Sequence, residues 1–186
     1  MGTNWSAGLI RWQPHVSGDG KTYSLNHLHP FRTDYKLVGR DKHPERTIHL
    51  HVAFSLHTFT RKSLTDCDPI NDYGDNRERR TFDHARYKLS FELPEILRSL
   101  EKRACEFATS LSGRLNFVTV DLGQGVRYGV FFDLKRWLKK GSDAVLLVVE
   151  SAYELAPDKP HPGKGRIGFS ALLGHAIRGT RPKQPH

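Results

Sequence analysis

The stretch Thr47-Ile-His-Leu-His-Val-Ala-Phe-Ser-Leu-His-Thr-Phe-Thr60 decides how this chain folds. Its even positions are Ile48, Leu50, Val52, Phe54 and Leu56; its odd positions are His49, His51, Ala53, Ser55 and His57. Successive side chains of a strand point to opposite sides, so the alternation predicts one strand over 47–60 with a buried aliphatic face and a polar face carrying three histidines. Upstream, the turn Asp19-Gly20 leads into a second expected strand, Lys21 to Phe31, with Tyr23, Leu25, His27, His29 and Phe31 on one side and Pro30 at its end. Antiparallel pairing of the two strands would gather His27, His29, His49, His51 and His57 on one surface.

Downstream, Arg61 to Thr81 is polar and turn-rich, and 82–93 has apolar residues near helical spacing. Pro94 suits the first turn of a longer helix, where its missing N–H is not needed. Ile96, Leu97, Leu100, Ala104, Phe107, Ala108 and Leu111 form an apolar stripe, which predicts a helix over 94–111 ended by Ser112-Gly113. Three strands are expected next: 115–122, 127–135 after the turn Gly123-Gln124-Gly125, and the continuously apolar 144–149, whose pattern suits a central strand covered on both faces. A Pro/Gly/Lys loop over 157–165, a short helix over 169–177 and a basic, flexible tail over 180–186 complete the pattern. The expected fold is a single α+β domain with its core at about 21–179. Antiparallel sheet packs on one main helix, followed by a three-strand meander and a short helix.

Composition narrows the function. The 186 residues are 37% hydrophobic, against a globular norm of about 45–50%, yet ten Phe, six Tyr and three Trp argue against disorder. The formal charge of +9 favours a polyanionic partner: nucleic acid, with RNA ahead of DNA, or an acidic protein. No run approaches the about 18 apolar residues that mark a membrane span, and no signal peptide is evident in the first residues, so no membrane association is expected. The two cysteines, Cys67 and Cys105, match no metal spacing, and a reduced, cytoplasmic setting follows. Walker, Rossmann, G-x-S-x-G and H-E-x-x-H motifs are absent. Oligomeric state is not legible.

Three groups of residues carry candidate chemistry. The pairs His27/His29 and His49/His51 have the H-x-H spacing that presents two imidazoles to one metal, zinc being the alternative to no cofactor at all; ordinary wet sheet surface is the competing explanation. The segment 72–87 concentrates arginine, histidine and tyrosine, the equipment of a metal-independent ribonuclease. His84 of this segment and His57 upstream of it are candidate acid–base groups, Arg77, Arg80 and Arg86 candidate phosphate holders, and Tyr87 and the distant Tyr153 candidates for stacking or proton transfer; for the segment itself a solvated charged face is the alternative. Lys135, Arg136, Lys139, Lys140, Arg178 and Arg181 are candidates for sequence-independent phosphate contacts.

The stretches Phe54-Ser-Leu-His-Thr-Phe-Thr60, Tyr73-Gly-Asp-Asn-Arg-Glu-Arg-Arg-Thr-Phe82, Arg86-Tyr-Lys-Leu-Ser90, Leu93-Pro94 and Ser151-Ala-Tyr153 resemble small bacterial proteins labelled stationary phase growth adaptation protein. The resemblance spans about 23–179. It implies a bacterial cytoplasmic setting and transfers no catalytic residue; His29, His49 and His51 depart from it. At the level of fold, a helix followed by a three-strand meander is similar to the barnase-like and RelE-like ribonuclease toxins. The leading expectation is an RNA-binding or RNA-cleaving, toxin-like protein. The alternatives are a non-enzymatic regulatory module for nucleic acid or an acidic protein, and a metalloprotein using the H-x-H pairs.

Overall fold

A computed structural model describes residues 10–39, 44–63, 71–75, 78–108, 116–137 and 143–183. In chain order the strands and helices are β1 (His15–Val16), β2 (Thr22–Tyr23), β3 (Phe31–Leu37), β4 (Arg46–Phe54), β5 (Thr60–Arg61), β6 (Asp72–Gly74), β7 (Arg79–Phe82), α1 (His84–Ser90), α2 (Leu93–Arg98), β8 (Ala104–Ala108), β9 (Asn116–Asp121), β10 (Arg127–Arg136), β11 (Ala144–Glu154), β12 (Gly163–Gly168) and α3 (Phe169–Arg178). The fold is α+β. Among the described residues the strands form three sheets: the β1–β2 ribbon, a seven-stranded sheet ordered β12-β8-β9-β10-β11-β4-β3, and a three-stranded sheet ordered β5-β7-β6.

The alternation in β4 is realised. Ile48, Leu50, Val52 and Phe54 all lie in the main core, which one face of the large sheet builds with Val145, Leu147 and Val149 of β11 and Val130 and Phe132 of β10. Phe169, Leu172, Leu173 and Ala176 of α3 and Leu93, Ile96 and Leu97 of α2 cover that face. The expected central strand is indeed central: β11 is buried throughout 144–149, parallel to β4 and antiparallel to β10. The expected meander β9-β10-β11 is present, and β8 and β12 extend it. Gln124 and its flanking glycines all take positive φ in the turn between β9 and β10.

Three expectations are corrected. The strand expected over 21–31 is instead the short β2 and a 3₁₀ turn, Asn26–Leu28, and β3 begins only after Pro30. Leu25 and Leu28 are both fully buried; one turn aims residues three apart at the same core, whereas a strand would send them to opposite faces. His27 and His29 therefore do not share a sheet face with His49 and His51. Second, the 47–60 strand stops at Phe54. The Ser55 hydroxyl accepts from His57 N–H (3.1 Å) and donates to the Glu150 carbonyl (2.7 Å), turning the chain into a 3₁₀ turn, Leu56–Thr58, that lifts His57 off the sheet. Third, the helix expected over 94–111 ends at Arg98. Ser99 Oγ donates to the carbonyls of Glu95 and Ile96, and Ala104–Ala108 leaves helical geometry to pair with β9 and β12. Its alanines, cysteine and phenylalanine suit a sheet as well as a helix, and pairing decides between them. Cys105 is fully buried there, and burial, helped by the Glu106 charge, pushes its thiol up to about 12, which makes it inert packing.

Candidate functional site

His57 lies where the last segment of β11 outruns β4, so that the 3₁₀ turn and α1, rather than a strand, flank residues 150–154. Its Nε2 sits 2.5 Å from Glu78 Oε1. Glu78 is carried at the base of β7 by the β6–β7 hairpin, closed by Asp75 N–H to the Glu78 carbonyl (3.1 Å) and Glu78 N–H to Asp75 Oδ1 (3.2 Å). Gly74 is obligatory in this hairpin: a Cβ there would stand 2.6 Å from the Glu78 carbonyl oxygen. Partial burial pushes the Glu78 carboxyl up. The hydrogen bond and charge of His57, with those of Arg80, outweigh this and hold it below its ordinary value. An ionised carboxylate only accepts, so the neutral imidazole carries its hydrogen on Nε2. Its Nδ1 is then a lone pair without a partner among the described residues, on a side chain 39% exposed.

Two arginines brace this pair. Arg80 donates from Nε to Thr60 Oγ1 (2.8 Å) and from Nη1 to Glu78 Oε2 (3.3 Å). Arg86 donates from Nη1 to the carbonyls of both His57 and Thr60, each at 2.9 Å, and burial lowers its pKa. The Arg86 guanidinium also lies 5.1 Å from the centroid of the Tyr153 ring, which stacks on Phe131 at 5.2 Å. Burial raises the Tyr153 phenol, offset in part by Arg86. Four of the expected residues, His57, Arg80, Arg86 and Tyr153, thus share one neighbourhood, but the arginines hold protein acceptors and act as positioning residues.

His84 and Tyr87 stand elsewhere. His84 meets the edges of Tyr23 (4.9 Å) and Phe82 (5.1 Å), while Tyr87 donates to the Ser24 carbonyl (3.2 Å) beside Tyr23 and Phe91. Helix geometry explains the split: His84 and Tyr87 are three apart and share one side of α1, whereas Arg86, two residues from His84, faces away. This aromatic cluster includes buried His15, stacked on Phe82 at 4.1 Å, whose pKa burial and the nearby His84 charge lower.

The remaining candidates disperse. Lys135 lies 4.0 Å from Asp133, and Arg136 packs against Gly179 at the C-terminus of α3. Arg178 folds back over Gly174, and Arg181 is exposed. This group is at the far end of β10 from Arg127, about 30 Å away at strand rise. Arg77, Lys139 and Lys140 fall outside the described residues. Among the described residues no group of three or more histidine, cysteine or carboxylate side chains is placed to hold a metal. His27 stacks on Phe91 (3.8 Å) and meets Ser90 Oγ (2.7 Å); His29 approaches the Trp12 carbonyl (3.4 Å). His49 contacts Asp34 (2.9 Å) and Arg32 (2.8 Å), and His51 stacks near Trp137 (5.8 Å). The two H-x-H pairs are therefore not one cluster.

The structure adds residues that no local pattern marked. Tyr153 also borders a cleft in which Arg127 Nη2 meets His161 Nδ1 (3.2 Å) and His161 Nε2 meets Glu106 Oε2 (2.8 Å). Glu106 and His161 are 55 residues apart, and only the pairing of β8 with β12 unites them. Residues 14–177 match the family model described as the YjaZ family. No curated protein and no solved structure gives a match.

Proposed function

The chain belongs to the YjaZ family. We propose that it binds RNA in the bacterial cytoplasm and cleaves it without a metal, His57 and Glu78 forming the acid–base pair. The observation that carries this reading is the His57–Glu78 contact. A carboxylate behind one imidazole nitrogen orients the ring, and the opposite nitrogen opens to solvent. In that role His57 Nδ1 takes the proton of a ribose 2′-OH. The 2′ oxygen then attacks the adjacent phosphorus, the bond to the 5′ oxygen breaks, and the imidazolium or solvent returns a proton to the leaving oxygen. The +9 chain supplies the long-range attraction for the backbone. No described helix is long and apolar enough to cross a membrane.

The test is incubation of the purified protein with total RNA in EDTA, alongside His57→Ala and Glu78→Gln. Cleavage reduced about 10²–10⁴-fold by His57→Ala, with salt-dependent RNA binding retained, supports the reading. Absence of both cleavage and salt-dependent binding overturns it. A second reading, a non-enzymatic RNA-binding module, is favoured by the hydrogen bonds of Arg80 and Arg86, which occupy the very forks a phosphorane would need. Binding that is indifferent to His57→Ala, with no cleavage in any sample, selects it.

A further inference from the structure

The described residues include a second basic site, beyond Tyr153 from His57, that the cleavage reading does not use. Arg127 opens β10, Leu155 follows β11, and the loop to β12 brings Lys159 and His161 over them, enclosing a cleft of about 100 Å³. That space takes several water-sized groups, enough for a phosphate and too little for a whole nucleotide.

The polar groups of this cleft are held in one arrangement. A guanidinium has no acceptor, so the His161 Nδ1 that faces Arg127 must present its lone pair, and Nε2 must carry the hydrogen donated to Glu106. His161 is therefore a strut between Glu106 and Arg127. Arg127 is fixed by an imidazole and not by a carboxylate, and its other N–H groups have no partner among the described residues. The same is true of the Lys159 ammonium, on an exposed side of the same cleft. Glu154, the nearest acidic neighbour in β11, alternates to the face opposite Tyr153.

The apolar wall is equally constrained. Tyr153 is seated on Phe131 and Leu155 is 8% exposed. A Cβ at Gly129 would stand 2.7 Å from Leu155 Cδ2. One at Gly163 would stand 2.4 Å from Phe117 Cζ and 2.5 Å from Glu106 Oε2. Both glycines let the wall and the Glu106 carboxylate press directly on backbone.

We propose that this cleft binds a phosphomonoester: its phosphate between the Arg127 fork and Lys159, and the group it esterifies lying along Tyr153 and Leu155. Two cations approaching one small space suit a dianion better than a single carboxylate, and the planar fork of Arg127 matches two phosphate oxygens at once. The proposal is independent of RNA cleavage at His57.

The experiment is titration of the full chain with inorganic phosphate, 5′-AMP and adenosine, followed by calorimetry and amide shifts. Expected are saturable binding of 5′-AMP and of phosphate, none of adenosine, and a ten- to hundredfold loss of 5′-AMP affinity in Arg127→Ala and Lys159→Ala. Lys159→Ala decides the matter should Arg127→Ala fail to fold, because the Lys159 side chain makes no described contact. Phosphate and 5′-AMP without effect at millimolar concentration, adenosine binding as well as 5′-AMP, or Lys159→Ala binding unchanged would each overturn the proposal.

Discussion

Replacing Arg86 with methionine keeps the aliphatic stem and removes the fork that joins α1 to the turn carrying His57. Two bonds are lost, to the carbonyls of His57 and Thr60. A hydrogen bond from a charged donor contributes about 1.5–3 kcal/mol, and the pair sets an upper bound near 6 kcal/mol. Arg86 is only half-buried, so water replaces part of what is lost, and about 2–3 kcal/mol is the expected net cost. For a domain of this size about 1 kcal/mol moves the melting temperature by roughly 2–4 °C, so thermal unfolding followed by circular dichroism should fall by about 5–10 °C. Arg86→Lys keeps the charge but not the fixed fork and should recover part of the drop. A decrease below about 2 °C for Arg86→Met would show that the turn stands without the bridge, and that Arg86 is not what positions His57.

Acid sensitivity should carry the signature of His27. Burial, then the His29 charge, lower its pKa to about 4. Between the ordinary histidine value and about 4 the unfolded chain holds a proton that the folded chain does not, so stability rises with pH across that window and is level below it. His27→Gln should flatten this slope in urea titrations at pH 4–6.5, and a His27 ring titrating near 6.5 by NMR would refute the assignment. Gly163→Ala should cost about 1–3 kcal/mol in urea unfolding, because its Cβ collides with Phe117 and the Glu106 carboxylate. Native-like stability there would mean that Glu106 is not pressed against the strand.

The parts of the fold that sequence reading captured are those where the periodic signal and the final contacts agree. β4 alternates because one face meets the core, and 144–149 is apolar throughout because helices cover one side and Ala53 and Trp137 cover part of the other. Misreading followed where two periods fit the same residues. The stripe through Ala104, Phe107 and Ala108 satisfies a helix or a strand, and only the pairing with β9 and β12 decides. The candidate site was half legible for the same reason. His57 stood next to a conspicuous charged segment, and Glu78 sat within it. His84 looked equivalent to His57 until the turn of α1 placed it with the aromatic cluster. The contact between Glu106 and His161 left no trace in either local pattern, being a product of strand pairing alone.

The parallel pairing of β4 with β11 also governs when the domain can close during synthesis. Ser55 reaches Glu150 across 95 residues, and the inner edge of β4, with Leu50 and Val52 on its apolar face, pairs with β11 and with no other strand among the described residues. At ribosomal speeds of about 5–20 residues per second, β4 waits roughly 5–20 s for its partner to be made. For that interval a nascent chain offers an unpaired aliphatic edge next to the β3–β4 hairpin, a binding site for a chaperone and a hazard for self-association. Truncation before residue 144 would make that interval permanent.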